Sequence, residues 1–212
     1  MGGTQLVGRL AATASLLMSI SVAMAPSAEA TPSALIRPET GHAYEVIPGE
    51  RSFAAARALA AERVFQGMPG HLVTLTSLGE AAFVNGLASG NAYYLGARDL
   101  GAQGEFRRRW AWTDGPDAGE IFTMCTQPQW DQARGQSGCR DAVNAFADWE
   151  PGGEPTGGGE TFIVVGYAGR AHWTDCLEWN CGWPGITIVE YEPVLEIELA
   201  TDSVTQITHD TQ

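Results

Sequence analysis

The chain has 212 residues, enough for one well-filled core or a single domain with appendages. Acidic residues outnumber basic ones 25 to 12, no lysine is present, and the formal net charge is −13. That sign excludes nucleic acid as a partner, because phosphates demand a basic face, and it disfavours an anionic membrane surface.

Arg9, the uncharged run Leu10 to Ala25 and the small-x-small site Ala28-Glu29-Ala30 read as an export signal over residues 1–30. The run is short of the ~20 apolar residues that a membrane span requires. No membrane span is therefore expected after signal cleavage. Residues 31–40 read as a linker, and the mature protein is expected to be secreted, periplasmic or otherwise extracellular.

His42 to Ile47 alternates as a first strand, ended by Pro48-Gly49. Ser52 is placed to cap a helix over Phe53 to Val64, with Phe53, Ala56, Leu59 or Ala60, and Val64 along one side, and Gly67 and Pro69-Gly70 stop it. His71 to Leu75 reads as a short strand. Ser77-x-x-Glu80 is a capping box that opens a second helix to about Ala88. Tyr93 to Gly96 and Trp110 to Trp112 are strand-like, the latter running into an Asp114-Gly115 turn. Cys125 to Cys139 is polar and irregular and reads as an inserted loop. Thr161 to Tyr167 and Ile186 to Tyr191 read as strands, with Trp173, Trp179 and Trp183 between them. Residues 194–212 hold one alternating patch, Val194 to Leu199, and then a polar tail that reads as flexible.

Export makes the four cysteines a disulfide question. Of the three possible pairings, Cys125–Cys139 with Cys176–Cys181 is favoured because each closes a local loop. A zinc site would need His71 or His172 beside the cysteines, and the paired C-x-x-C spacing of structural zinc modules is missing.

The densest chemistry lies in residues 148–160, Asp-Trp-Glu-Pro-Gly-Gly-Glu-Pro-Thr-Gly-Gly-Gly-Glu, followed by His172-Trp173-Thr174-Asp175. Glu154, Glu160 and Asp175 are loop carboxylates, and no lysine or arginine stands between Arg140 and Arg170 to neutralise them. Clustered carboxylates of this kind ask for a hard divalent cation, which takes oxygen ligands in a flexible geometry.

These parts, in this order, resemble a C-type lectin domain. The motifs are helix, G-H-L-V-T-L-T-S, second helix, Y-Y-L-G, W-A-W-T-D-G, W-x-P-G-G-E-P-T, W-T-D and a closing I-V-E-Y-E, spanning residues 41–193. The resemblance implies an α+β, C-type-lectin-like fold: two helices flanking two small antiparallel sheets, with a long ligand-binding loop. It makes Tyr94, Leu95 and Gly96 core residues, and Trp112 and Trp149 buried anchors whose indole N–H finds a partner. It also implies a cis peptide before Pro155. In calcium-dependent members the metal is held by E-P-N, a following glutamate and W-N-D. Glu154, Glu160 and Asp175 match the three acids, while Thr156 and Thr174 fall where the asparagines stand. Threonine offers one oxygen on a shorter stem in place of an amide's acceptor and donor ends, which weakens the sugar contact more than the metal. Any calcium affinity is expected at the ~10⁻⁴ to 10⁻³ M end of the range for extracellular modules. Val189 and Phe162 stand where the family usually carries cysteines, a pattern similar to its cysteine-poor bacterial members.

The function implied is an exported carbohydrate-binding module, calcium-dependent if its carboxylates are metal-competent, with Trp173 among the ligand contacts. Trp173, Trp179 and Trp183 would then form an aromatic platform, or else cover a disulfide. The alternative is a metal-independent protein-binding domain that uses the Cys125–Cys139 insertion and the tryptophan cluster. An enzyme would need a free reactive thiol, so no catalytic activity is expected. Arg107-Arg108-Arg109 reads as a solvated basic face or a contact for an acidic partner.

Overall fold

The computed structural model describes residues 33–101, 108–126, 138–151, 153–155, 160–177 and 182–193. The expected signal over residues 1–30, the tail beyond Pro193, and Arg107, Thr156, Trp179 and Cys181 lie outside the described residues.

The elements in chain order are β1 (Leu35–Ile36), β2 (Ala43–Pro48), α1 (Phe53–Ala61), β3 (Val64–Phe65), β4 (Met68–Leu72), α2 (Leu78–Ala88), β5 (Tyr93–Asp99), β6 (Arg108–Trp112), β7 (Ile121–Cys125), β8 (Cys139–Asp141), β9 (Phe162–Val165), β10 (Trp173–Cys176) and β11 (Ile186–Tyr191). They build two antiparallel sheets. One has the order β1-β2-β11-β4-β3, the other β10-β9-β5-β6-β7-β8. Among the described residues, no helix is long and apolar enough to cross a membrane.

The caps form as the sequence implies. The Ser52 hydroxyl accepts from the Ala55 amide and the Ser77 hydroxyl from the Glu80 amide, each at 3.2 Å. Glu80 does not return the bond to Ser77, as a reciprocal capping box would. Its carboxylate accepts from the amide and hydroxyl of Thr76 (2.7 and 3.0 Å) and from the Tyr44 hydroxyl (2.6 Å), tying α2 to β2 from inside the core.

The first helix ends at Ala61, short of the expected Val64. Val64 and Phe65 instead pair with Pro69 and Met68 in a hairpin whose two-residue turn, Gln66-Gly67, has φ of 51° and 84°. Glycine at the second turn position carries that left-handed conformation without strain, so turn chemistry outcompetes another helical turn. Four further strands were not legible in the sequence: β1, β7, β8 and β10. The first lies in the expected linker 31–40, where Leu35 and Ile36 pair with Tyr44 and Ala43 of β2. The next two form the stem of the 125–139 insertion, where Cys125 and Cys139 face each other as register partners and are joined by a disulfide.

Two apolar clusters fill the core. One lies beneath α2 and between the sheets, with Leu75, Val84, Tyr93, Leu95, Trp110, Phe122 and Trp173 all essentially inaccessible. The other lies beneath α1, with Phe53, Leu72, Tyr94, Val164 and Val189. Burying each of these large side chains contributes roughly 1.5–3 kcal/mol. At Gly96 the backbones come close, its amide donating to the Val73 carbonyl at 2.8 Å. A Cβ there would sit 2.6 Å from the Leu72 carbonyl oxygen, so only glycine lets β5 approach β4.

Candidate functional site

Of the described residues expected to hold a cation, Thr174 and Asp175 lie on β10, the edge strand of the six-stranded sheet, next to β9. Trp173 to Cys176 pair with Val165 to Phe162, which sets Asp175 opposite Ile163. Segment 148–150 lies alongside β10. The Trp173 amide donates to the Asp148 carbonyl (2.8 Å), and the Glu150 amide donates to the Trp173 carbonyl (2.9 Å). The Glu154–Pro155 peptide is cis.

The positive charge at this site comes from a residue distant in sequence. Arg108 opens β6, and its side chain is only 12% exposed. Its Nε donates to Asp99 Oδ2 at 2.9 Å, its Nη1 donates to Asp175 Oδ2 at 3.1 Å, and its Nη2 donates to the Glu160 carbonyl. The guanidinium also stacks over the Trp110 ring, 4.8 Å from its centroid. Asp99 is itself fixed by the amides of Gly101 and Arg109, at 2.9 and 3.1 Å. Arg108 is therefore held on four sides, with its charge divided between two carboxylates and a carbonyl.

This arrangement does not fit a calcium ion at the expected position. The Asp175 side chain is fully buried and engaged by a guanidinium. Glu154 Oε1 lies 4.0 Å from Arg170 Nη1. Among the described residues, Glu154, Glu160 and Asp175 do not converge to within the 4.8 Å that would let three side chains share one ion. Thr174 is 5% exposed, and its hydroxyl is buried with no hydrogen-bond partner among the described residues.

Trp173 is likewise a core residue. It is wholly inaccessible and meets Trp112, Phe122, Phe146 and Trp149 edge-on at centroid distances of 5.6–5.9 Å. Its ring presents no face to a sugar. Trp183, by contrast, is 57% exposed. Trp149 has the anchoring role the family resemblance implies, since its indole N–H donates to the Thr123 hydroxyl at 3.0 Å. His172 is paired with Asp148 at 2.8 Å. Cys176 is disulfide-bonded, so no described cysteine offers a free thiol.

Sequence reasoning missed Arg108. A signal was nevertheless present: residues two apart on a strand share a face, which puts Arg108 on the same side as the core residues Trp110 and Trp112.

Two helices and two sheets in this order, with a loop closed by a cis proline against the sheet edge, define a C-type-lectin-like fold. The architecture matches the EPNH mutant of CEL-I over 77% of this chain and 96% of that one, at 15% identity and a TM-score of 0.50. CEL-I itself, a C-type lectin from Cucumaria echinata, aligns over 71% of this chain and 89% of its own at 16% identity and a TM-score of 0.45. In sequence, the chain is 30% identical to halomucin of Haloquadratum walsbyi over 153 residues, which is 71% of this chain but about 1% of halomucin. No sequence profile of a known protein family matches the chain.

Proposed function

We propose that the protein is an exported recognition module of C-type-lectin-like fold that binds a protein ligand without calcium. The observation that carries this reading is the Arg108–Asp175 pair. The cation that the loop acids call for is supplied from within the chain, and Asp175 and Thr174, which would grip a sugar through a metal, are buried. Export is supported by the leader-like segment and by the Cys125–Cys139 disulfide, a bond that persists in oxidising compartments.

The recognition surface would then be the end of the six-stranded sheet, where the stapled 125–139 insertion and the segment carrying Trp183 emerge. A second reading, glycan binding by stacking on Trp183, rests on the exposure of that ring. It too needs no metal.

Arrays of glycans and of extracellular proteins, probed with the full mature chain in calcium and again in EDTA, test the proposal. Binding to a protein that is unchanged by EDTA and lost when residues 127–137 are replaced by a short Gly-Ser linker is the expected result. Binding that requires calcium would overturn it.

A further inference from the structure

The end of β11, in the five-stranded sheet, gathers a cluster of titratable groups whose chemistry does not depend on the reading of the loop. β11 pairs with β2 on one side and β4 on the other, and its last residue, Tyr191, stands opposite Ala43 and Gly70. Glu192 is the first residue past that ladder, with His42 just before β2 on one flank and His71 in β4 on the other. Its two oxygens are divided between them. Oε1 lies 3.3 Å from His71 Nε2, and Oε2 lies 3.9 Å from His42 Nε2.

The other ring nitrogens are already engaged. His71 Nδ1 donates to the Leu72 carbonyl and His42 Nδ1 to Glu190 Oε1, both at 2.9 Å. A carbonyl and a carboxylate only accept, so each Nδ1 carries a hydrogen. A neutral imidazole has a single N–H, and each Nε2 would then turn a lone pair toward a Glu192 oxygen. The protonated ring turns an N–H there instead. These are the contacts of two imidazolium ions sharing one carboxylate.

The surroundings favour that charge. Glu190 is wholly buried, and its second oxygen accepts from the amide and the hydroxyl of Thr74, at 2.9 and 3.0 Å. From α2, Glu80 Oε1 lies 3.7 Å from His42 Nδ1, and Asp117 acts on His42 from the turn before β7. His71 packs on that turn at Gly115 and shares a second groove with Arg57 and Arg98, where Asp114 holds Arg57 at 2.6 Å. The hydrogen bond to Glu190 holds His42 above the ordinary histidine value. Burial alone would lower His71, but the Glu192 carboxylate and the charge of Glu190 raise it. The stabilisation from both histidines is therefore complete below the ordinary histidine value and is lost as pH rises through the raised ones. Burial pushes the Glu190 carboxyl up as well, which acts in the same direction from lower pH. A cleft of about 600 Å³ lined by His42, His71 and Glu192 gives protons a route that needs no unfolding.

We propose that His42 and His71 form a pH-operated latch on Glu192. Protonated, they clamp the end of β11 to both neighbouring strands. Deprotonated, their Nε2 lone pairs repel the carboxylate, and Glu192 and Pro193 come away from the sheet.

NMR of the mature protein labelled with ¹⁵N, titrated from about pH 5 to 9, tests the latch, with His42→Gln and His71→Gln assigning the ring signals. Both rings are expected to titrate above the ordinary histidine value, and the Tyr191 and Glu192 amides to shift with the same midpoints. The melting temperature falls by about 5 °C between about pH 6 and 8.5. In Glu192→Gln, which keeps the size of the side chain and removes its charge, both midpoints drop and the fall in melting temperature shrinks. Either ring titrating at or below the ordinary value would overturn the latch. So would Tyr191 and Glu192 amides indifferent to the ring midpoints, or midpoints unchanged in Glu192→Gln.

Discussion

Replacing Arg108 by alanine lowers the free energy of unfolding by about 3–5 kcal/mol, the cost of leaving a buried charge without its partner. The carboxylate left behind is Asp175, whose side chain is fully buried in β10. Removing the guanidinium also strips donors from Asp99 and from the Glu160 carbonyl and uncovers the Trp110 ring. Arg108→Lys recovers little of the loss, because an ammonium cannot reproduce a planar fork that serves three acceptors at once. The double variant Arg108→Ala, Asp175→Asn is less damaged than the sum of its parts, and urea denaturation read as a double-mutant cycle gives the coupling. Were the pair an exposed one, each single change would cost under about 1 kcal/mol. That outcome would remove the structural reason for calling Arg108 the site's cation.

Trp173→Ala is the second large effect, a loss of about 3–5 kcal/mol, as for other buried aromatic truncations. The ring is inaccessible and is gripped edge-on by four aromatic neighbours, so its removal leaves a cavity that they cannot close. Trp183→Ala, on an exposed ring, changes stability by no more than about 0.5 kcal/mol. The two variants separate the roles of tryptophans only ten residues apart in one segment. If Trp173→Ala instead kept full stability and lost ligand binding, the ring would have to be a contact residue and not a core one.

The fold was largely legible because its signals are local. Ser52 and Ser77 cap where they should, the strands expected over His42 to Ile47 and Ile186 to Tyr191 form as β2 and β11, and the ordered motifs between Gly70 and Tyr191 lead to the right architecture. Boundaries failed where turn chemistry competed with helix periodicity, as at Gln66-Gly67. They failed again where a strand is short and polar, as in β8, which forms because β7 offers it an edge.

The site was half legible. The order of acids pointed to the β9–β10 edge, where Asp175 and the Glu160 carbonyl meet Arg108. The counter-charge, however, comes from Arg108, 67 residues before Asp175, brought across by the strand order β10-β9-β5-β6. Searching the flanking sequence for a cation could not find it, because sheet pairing sets that proximity and chain distance does not.

The most direct test of the loop's chemistry is thermal unfolding of the metal-free mature protein with and without 10 mM calcium. With Arg108 on Asp175, the melting temperature should not move. A calcium site of about 10⁻⁴ M affinity would instead add about 2.7 kcal/mol, a rise of about 5 °C or more for a chain of this size. Such a rise, abolished by Asp175→Asn, would contradict the account.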